Sequence, residues 1–248
     1  SGRTRTYPPV MRPSATRSRR PLASAVAALV VVLAVVVSSA VLAPATASAQ
    51  PAPRWSGLDT RQWNQPIPAP GVTAATVPLD PALSLPDAGR AVRQAYGTID
   101  QHGRNAIATS AVFLPHGAPP PGGWPVVAWA HGTTGLGDDC APSTQPRSAV
   151  VAADYVGLGT PGLLSYLNGQ VAARGIIDAV SAARADGLPL SPAWAVVGQS
   201  QGAGAALVTA TRATELGGPA GLDYRGVVAT GAPANIEQLF QWGGPGFP

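Results

Sequence analysis

Short apolar runs alternate with helical stretches from about residue 105 to residue 230. Each run has the length of a strand, and the run at 126–130 contains no polar residue, which predicts a strand buried on both faces of a sheet. Glycine and proline residues separate the runs from the stretches around them. We therefore predict five strands, at residues 107–114, 126–130, 149–153, 193–197 and 224–230.

Two helical stretches lie between these strands. In the first, Gly187 and Pro189 end a pattern whose apolar residues share one helix face: Ala173, Ile176, Ile177, Val180 and Ala183. The second, at 202–216, is rich in small residues. This alternation predicts an α/β fold with a mostly parallel sheet flanked by helices. Reactive groups gather at the carboxyl ends of such strands, so the loops after residues 130, 153 and 197 are the candidate sites.

The loop after the strand at 193–197 reads Gly198-Gln199-Ser200-Gln201-Gly202, a G-x-S-x-G pentapeptide. A buried strand before it and a small-residue helix after it are the context in which this motif holds a serine on a strained turn. Glycines are needed on both sides, because a Cβ there would collide with neighbouring backbone. We predict that Ser200 is a nucleophile and that the Gln201 N–H, at the helix N-terminus, stabilises developing negative charge.

The loop after the strand at 126–130 reads HGTTGLG. Acyl transfer needs a second hydrogen-bond donor for the oxyanion, from a loop of this kind, and we predict the backbone N–H of Thr133 or Thr134. We interpret His131 as a residue that shapes this loop through hydrogen bonds rather than as a catalytic base. Asp154 precedes the serine, whereas the catalytic acid usually follows it, so we expect Asp154 to cap a turn.

The N-terminus predicts export. Three arginines at 17–20 precede an apolar run at 22–43, and small residues at 47–49 complete the three parts of a secretory signal. We predict cleavage after Ala49, by the general or the twin-arginine route, and a secreted product. An uncleaved anchor is the alternative, because a run of this length can span a bilayer. Membrane contact is expected only through this segment or at a lipid interface.

The charge distribution argues against a nucleic-acid partner. The formal net charge is +4, but six of the 16 basic residues lie before residue 50. From Gln50 onward, 10 arginines face 12 acidic residues, so no basic patch remains for a polyanion. Cys140 is the single cysteine, which is unusual in an exported protein. It is either an inert buried thiol or half of a disulfide whose partner lies outside this sequence.

Three motifs together resemble the secretory lipases of the α/β-hydrolase superfamily, found in fungi and actinobacteria. They are VVAWAHGTTGLGDDCAPS at 126–143, VVAADYVGLGTPG at 150–162 and GQSQGAGAAL at 198–207. The resemblance implies Ser200 as nucleophile, with oxyanion donors at the Gln201 amide and in the stretch of Thr133 and Thr134. It implies a disulfide at Cys140. It also implies hydrolysis of acylglycerols and other carboxylic esters, with no metal or organic cofactor.

The sequence departs from this family after the nucleophile. The superfamily order is Ser, then Asp or Glu, then His, but the 48 residues after Ser200 contain Glu215, Asp223, Glu237 and no His. We expect a truncated hydrolase rather than a short protein that lost catalysis, because the serine turn and the oxyanion loop are complete. Such a chain is expected to be C-terminally incomplete, nearly inactive and poorly soluble, since a sheet edge stays exposed.

The expected organisation has four parts. A signal peptide with upstream residues covers 1–49, a Pro-rich leader 50–76, a partial α/β-hydrolase core 77–232 and the start of a truncated cap 233–248.

The expected function is cleavage of a lipid or small ester through an acyl-enzyme on Ser200. A peptidase of the same superfamily and a non-catalytic exported binding protein are the alternatives. Comparing esters with peptide amides discriminates the first alternative. A downstream reading frame that adds an Asp and then a His argues against the second. The oligomeric state does not follow from this sequence.

Overall fold

The computed structural model describes residues 54–137, 140–141 and 151–235. The predicted signal peptide at 1–49, residues 236–248 of the predicted cap and the first two residues of the strand predicted at 149–153 lie outside them. Within the described part of the chain, no helix is both long enough and apolar enough to cross a membrane.

Among the described residues, seven strands form one sheet. Four of the five predicted strands are present at slightly different bounds, and the described residues of the fifth are also a strand. Two strands, β1 and β2, were not predicted, and β1 begins inside the range expected to be the Pro-rich leader. The strands are β1 Thr73–Pro78, β2 Arg90–Ile99, β3 Asn105–Leu114, β4 Trp124–Ala130, β5 Val151–Ala153, β6 Leu190–Gln199 and β7 Asp223–Thr230.

The order across the sheet is β1-β2-β3-β5-β4-β6-β7. The pairs from β1 to β3 are antiparallel, and β3 is antiparallel to β5. In contrast, β5, β4, β6 and β7 run parallel to one another. Because the carboxyl ends of these four strands meet at one edge, the loops selected from the sequence lie along the same edge of the sheet.

Two helices follow the parallel strands: α1 (Gly169–Ala185) and α2 (Gln201–Gly217). Asn168 caps the start of α1, since its side chain accepts a hydrogen bond from the Val171 N–H at 3.2 Å. Beyond its end, Gly187 has a φ of 76°, a left-handed conformation that favours glycine and turns the chain out of the helix. Short 3-10 turns occupy Pro81–Leu83 and Gly218–Ala220.

The main core lies between the sheet and the two helices. Trp194 of β6 and Val126 of β4 are almost completely buried, and they belong to one cluster with residues of both helices, among them Ile176, Ile177, Val180, Ala205 and Ala206. Burial of a large aliphatic side chain stabilises a fold by about 1.5–3 kcal/mol, so this cluster is the main source of stability for the parallel strands.

The opposite face of the sheet has a smaller core under residues 79–88, with Leu79, Leu83, Phe113 and Ala152. Trp129 packs against this cluster and is half-buried, but Val127 on the same face is 39% exposed. The prediction that the strand at 126–130 is buried on both faces is therefore wrong at Val127. The physical reason is that the segment at 79–88 covers β3 and β5 and leaves the Val127 side chain open to solvent.

The residues just before β1 are held against the core. The Thr60 side chain is fully buried and donates a hydrogen bond to the Gly159 carbonyl at 2.6 Å. The buried guanidinium of Arg93 in β2 donates to the Leu58 carbonyl and stacks over the Trp55 ring, 5.1 Å from its centroid. A segment expected to be an extended leader therefore contributes to the packed structure from residue 55 onward.

Candidate active site

Ser200 lies on the tight turn between β6 and α2. Its φ of 55° and ψ of −122° are unusual for a residue with a side chain, and such strain is commonly stored at functional sites. The surrounding backbone holds this conformation: the Ser200 N–H donates to the Thr230 carbonyl at 3.0 Å, and the Ser200 carbonyl accepts from the Ala203 N–H at 2.9 Å. The strand, turn and helix expected from the pentapeptide are thus present.

The two glycines of the pentapeptide leave no room for a Cβ. A Cβ on Gly198 would lie 2.5 Å from the Gly202 carbonyl carbon, and one on Gly202 would lie 2.5 Å from the Ala130 carbonyl carbon. Both contacts are with backbone, which cannot swing aside as a flexible side chain can. Close approach of α2 to the end of β4 therefore requires glycine at both positions and brings the turn next to the loop that follows β4.

That loop contacts the Ser200 turn directly. A Cβ built on Gly132 would lie 3.5 Å from the Ser200 Cβ, so the backbone at Gly132 faces the serine. The next residue, Thr133, donates from its hydroxyl to the Gln201 side-chain oxygen at 3.3 Å, and this hydroxyl is also 2.8 Å from the Tyr166 hydroxyl. The structure therefore brings Ser200, Gln201 and Thr133 together.

Thr133 and Thr134 are both exposed, but no contact described in the structure links Thr134, the other predicted donor, to the Ser200 turn. Gln201 is the first residue of α2, so its N–H has no helical carbonyl one turn earlier to bind and is available to a ligand. Two backbone donors, one from Gln201 and one from Thr133, are hence the pair that this geometry favours for an oxyanion.

His131 orients the loop that follows β4. It is buried, its Nδ1 lies 2.7 Å from the Gly132 carbonyl oxygen, and its ring stacks on Tyr155 at 4.2 Å between centroids. Since a carbonyl only accepts, Nδ1 carries the proton and donates. A trans peptide is planar with C=O and N–H opposed, so fixing the Gly132 carbonyl directs the Thr133 N–H away from the imidazole.

The remaining ring nitrogen of His131 gives no sign of a catalytic role. Nε2 is buried and has no hydrogen-bond partner among the described residues. Burial lowers the pKa of His131 and keeps the imidazole neutral, although the hydrogen bond with Gly132 and the charge of Asp154 oppose this shift. The contacts of His131 agree with our interpretation that it shapes the loop.

Asp154 faces the antiparallel strands rather than the serine. It is fully buried and accepts a hydrogen bond from the Thr109 hydroxyl at 2.5 Å, while its own N–H donates to the Thr109 carbonyl at 2.7 Å. The next residue, Tyr155, donates its hydroxyl to the His131 carbonyl at 2.9 Å. Asp154 thus anchors the start of a loop whose Tyr155 supports the loop that follows β4. No motif in the sequence predicted this role of Tyr155.

The other ionisable groups considered in the sequence lie elsewhere. His102 and His116 are exposed, each in a turn or loop next to β3. Glu215 pairs with Arg212 at 2.9 Å, and Asp223 pairs with Arg225. Glu237 lies outside the described residues. Cys140 is a half-buried free thiol. Within the described ranges, no cluster of histidine, cysteine and carboxylate side chains could hold a metal ion.

A small pocket opens beside the Ser200 turn, between the first turns of α1 and α2. Its volume is about 190 Å³. Its wall is mostly apolar and includes Leu167, Ala172, Gly204, Val208 and Pro233, and Gln201 lines it as well. Leu167 has a φ of 60°, so two of the strained residues with side chains, Leu167 and Ser200, lie at or next to this pocket. The sequence did not predict it.

Comparison with solved structures identifies the fold. The rice cell wall degrading esterase LipA from Xanthomonas oryzae superposes with a TM-score of 0.56 and 25% sequence identity, over 70% of this chain and 53% of LipA. Candida antarctica lipase A in its closed state gives a TM-score of 0.55 and 18% identity, over 70% of this chain and 45% of the lipase. The chain has the α/β-hydrolase fold. The prediction of fold class is confirmed.

The chain spans about half the length of these two proteins. One of them is an esterase and the other a lipase, so the similar structures are ester hydrolases. Neither the protein-family models nor the curated proteins gave a match to the chain. The likeness is therefore one of structure, and it covers 70% of this chain.

Proposed function

We propose that this chain belongs to a secreted hydrolase of carboxylic esters and acylglycerols, with Ser200 as the nucleophile that forms an acyl-enzyme. The observation that carries the proposal is the strained turn at Ser200, held between β6 and α2 and in contact with the Gly132 backbone. A half-buried serine hydroxyl at a helix N-terminus, beside the backbone of a second loop, is the arrangement that acyl transfer needs.

The chemistry follows from this placement. The Ser200 Oγ attacks the ester carbonyl carbon, the electron pair of the C=O bond moves to oxygen, and the N–H groups of Gln201 and Thr133 hold that oxyanion. A general base takes the Oγ proton during the attack and passes it to the leaving oxygen, so that collapse of the tetrahedral intermediate expels the neutral alcohol and leaves the acyl group on Ser200. Water then repeats the sequence and releases the acid. One such donor is worth about 2.7–4 kcal/mol of transition-state stabilisation.

A serine hydroxyl also needs a general base. The three histidines of the sequence do not supply one by any described contact: His102 and His116 are exposed in turns or loops, and His131 is committed to the Gly132 carbonyl. The proposal therefore assigns the nucleophile and the oxyanion donors and leaves the base and its carboxylate unassigned.

Two lines of evidence support the finer parts of the proposal. The similar structures include a cell wall degrading esterase and a lipase, which supports ester substrates over amides. A charged segment, an apolar run and a small-residue cleavage site precede residue 50, which supports secretion with cleavage after Ala49.

The test is hydrolysis by the protein made from the full reading frame that encodes this chain. We expect turnover of p-nitrophenyl esters and little cleavage of peptide amides. Ser200→Ala is expected to lower kcat by about 10⁴-fold or more, because the covalent route is lost. Ser191→Ala is the matched control: the same change at the other end of β6, where the hydroxyl bonds only locally to Ala193.

Three outcomes would contradict the proposal. Amide cleavage that exceeds ester cleavage favours the peptidase alternative. Absence of any hydrolysis by a folded wild-type protein favours a binding protein. Equal activity of Ser200→Ala and Ser191→Ala assigns the chemistry to another residue.

A further inference from the structure

We infer that the pocket between α1 and α2 holds the acyl group of the ester and that Gly204 sets the length of acyl chain it accepts. This inference rests on the proposed function, since it names the substrate group that would be bonded to Ser200. It concerns a pocket that the sequence motifs did not predict.

The position of the pocket connects it to the reacting carbonyl. Gln201 contributes to its wall, and the Gln201 N–H is one of the two donors assigned to the oxyanion. A group bonded to the carbonyl carbon therefore starts next to Gln201, a residue that lines the pocket. Most other lining residues are apolar, among them Leu167 and Pro233; the polar one is Asn168, whose side-chain oxygen already accepts a hydrogen bond from the Val171 N–H.

The size of the pocket limits its occupant. Pockets for drug-sized ligands measure about 300–1,000 Å³, and a cavity of about 150 Å³ in a protein core takes up benzene. At about 190 Å³, this pocket fits a group of a similar size to benzene rather than a long fatty chain. We expect acyl chains of up to roughly six carbons to fit within it.

Gly204 leaves the space that makes the pocket. A Cβ at this position would find only Pro233 within 4 Å, at 3.9 Å, which is ordinary contact distance. The glycine is not needed for close backbone packing, and within a helix it is less favourable than alanine by about 1 kcal/mol. Gly204 therefore lowers the stability of its own helix and leaves space next to Ser200. We expect the size of the side chain at this position to set the length of acyl chain that fits.

The acyl group suits a walled pocket better than the alcohol does. The acyl group stays bonded to Ser200 through both half-reactions, so a surface that holds it contributes to both. The alcohol has to leave before water can attack, so it needs an open path. We therefore place the acyl chain in the pocket and leave the alcohol on the solvent side of the turn.

The experiment compares two series of substrates on the full-reading-frame protein. The first series lengthens the acyl chain from acetate to decanoate with p-nitrophenol as the constant leaving group. The second keeps acetate and lengthens the alcohol. We expect kcat/KM of the wild type to rise to about hexanoate and then fall, and the second series to show little dependence on length.

Three variants and one control sharpen the test. Gly204→Val fills the pocket and should lower the hexanoate-to-acetate ratio of kcat/KM by about tenfold or more, since one methylene in such a pocket changes kcat/KM by about 10–200-fold. Gly204→Ala should act in the same direction to a smaller extent. Val208→Ala enlarges the pocket and should move the optimum to longer chains. Gly218→Ala, at the far end of α2, adds its Cβ to open space and should change nothing.

The outcomes separate the pocket from the function. If esters are hydrolysed through Ser200 but the Gly204 variants keep the wild-type chain-length profile, the pocket does not hold the acyl group. If instead the alcohol series responds to these variants, the alcohol occupies the pocket and the inference is wrong. If Ser200→Ala retains activity, the proposed function fails first, and the inference fails with it.

Discussion

Three glycines lie close together where β6 passes into α2, but they differ in the space around them. At Gly198 and Gly202 the neighbouring backbone leaves no space for a Cβ, whereas at Gly204 a Cβ would meet only the edge of Pro233 at 3.9 Å. The first two are required for the helix to approach β4 and β6. The third leaves a pocket open. The same residue type thus builds the rigid turn that holds Ser200 and the adjustable space beside it.

This difference separates what the fold needs from what a substrate needs. A change that the backbone cannot accommodate should cost stability and activity together, whereas a change in the open region should alter substrate choice and leave the fold intact. Each region therefore predicts its own pattern of mutational effects.

The largest expected effect is at Gly202. Gly202→Ala should lower the free energy of unfolding by about 3 kcal/mol or more, because its Cβ meets backbone that cannot move aside. Gly204→Ala is the matched change two residues later and should raise the same free energy by about 0.4–1 kcal/mol. Urea denaturation of the two variants measures both values. Equal effects would show that the two glycines do not differ in the way the structure describes.

Gly132 should show a large effect on activity with a small one on stability. The Cβ of Gly132→Ala meets the flexible end of the Gln199 side chain at 2.7 Å, the Gln199 carbonyl oxygen at 3.3 Å and the Ser200 Cβ at 3.5 Å, so only a shift of a few tenths of an ångström is needed from the backbone. We expect a stability loss below about 1 kcal/mol but a fall in kcat of about 10²-fold, since the oxyanion loop is displaced. Gly137→Ala in the same loop adds its Cβ to open space and is the control.

An unchanged kcat for Gly132→Ala would mean that the position of this loop does not matter for the reaction. It would remove the reason for placing an oxyanion donor at Thr133.

The smallest expected effect is on the pH dependence of stability at His131, whose carbonyl also lies against the Gly202 position. Burial holds the pKa of His131 below its ordinary value of 6.5. Between the two pKa values, the unfolded chain therefore binds a proton at His131 and the folded chain does not. The contribution of His131 to the free energy of unfolding is fully present above pH 6.5. It declines as the pH falls through 6.5 towards the pKa of the folded state. Tyr155 and Asp154 are the ionisable neighbours of the ring.

Thermal unfolding between pH 8 and pH 5 tests this prediction. His131→Gln should flatten the loss of stability on acidification, whereas His116→Gln, a change at an exposed histidine, should keep the wild-type slope. Parallel curves for the wild type and His131→Gln would contradict the neutral, buried state of this ring.

The sequence predicted the parallel half of the sheet and the turn at Ser200, because both depend on local patterns. Continuous apolar runs mark buried parallel strands, and the glycines that frame Ser200 stand at fixed positions around it. Each motif also pointed to Gln201 and to the stretch of Thr133 and Thr134, and their role as oxyanion donors stays a prediction. The choice between Thr133 and Thr134 needed the contacts of Thr133 with Gln201 and Tyr166.

The sequence did not reveal β2, because this strand buries polar residues. Arg93 and Thr98 are fully buried, and their partners are distant in the chain: Arg93 binds the Leu58 carbonyl, and Thr98 donates to Asp178 at 2.7 Å. Such residues look like a solvated segment until those partners are known. The pocket beside Gly204 was missed for a similar reason, since a glycine in a small-residue helix carries no sign of whether its surroundings are full or empty.

The role of Ser200 as nucleophile is tested most directly by covalent labelling. The protein from the full reading frame is treated with a fluorophosphonate, digested, and mapped by peptide mass spectrometry. The account predicts a single phosphonyl adduct on Ser200, present in Ser191→Ala and lost in Ser200→Ala. An ester-hydrolysing preparation that carries the adduct on another residue, or none at all, would contradict it.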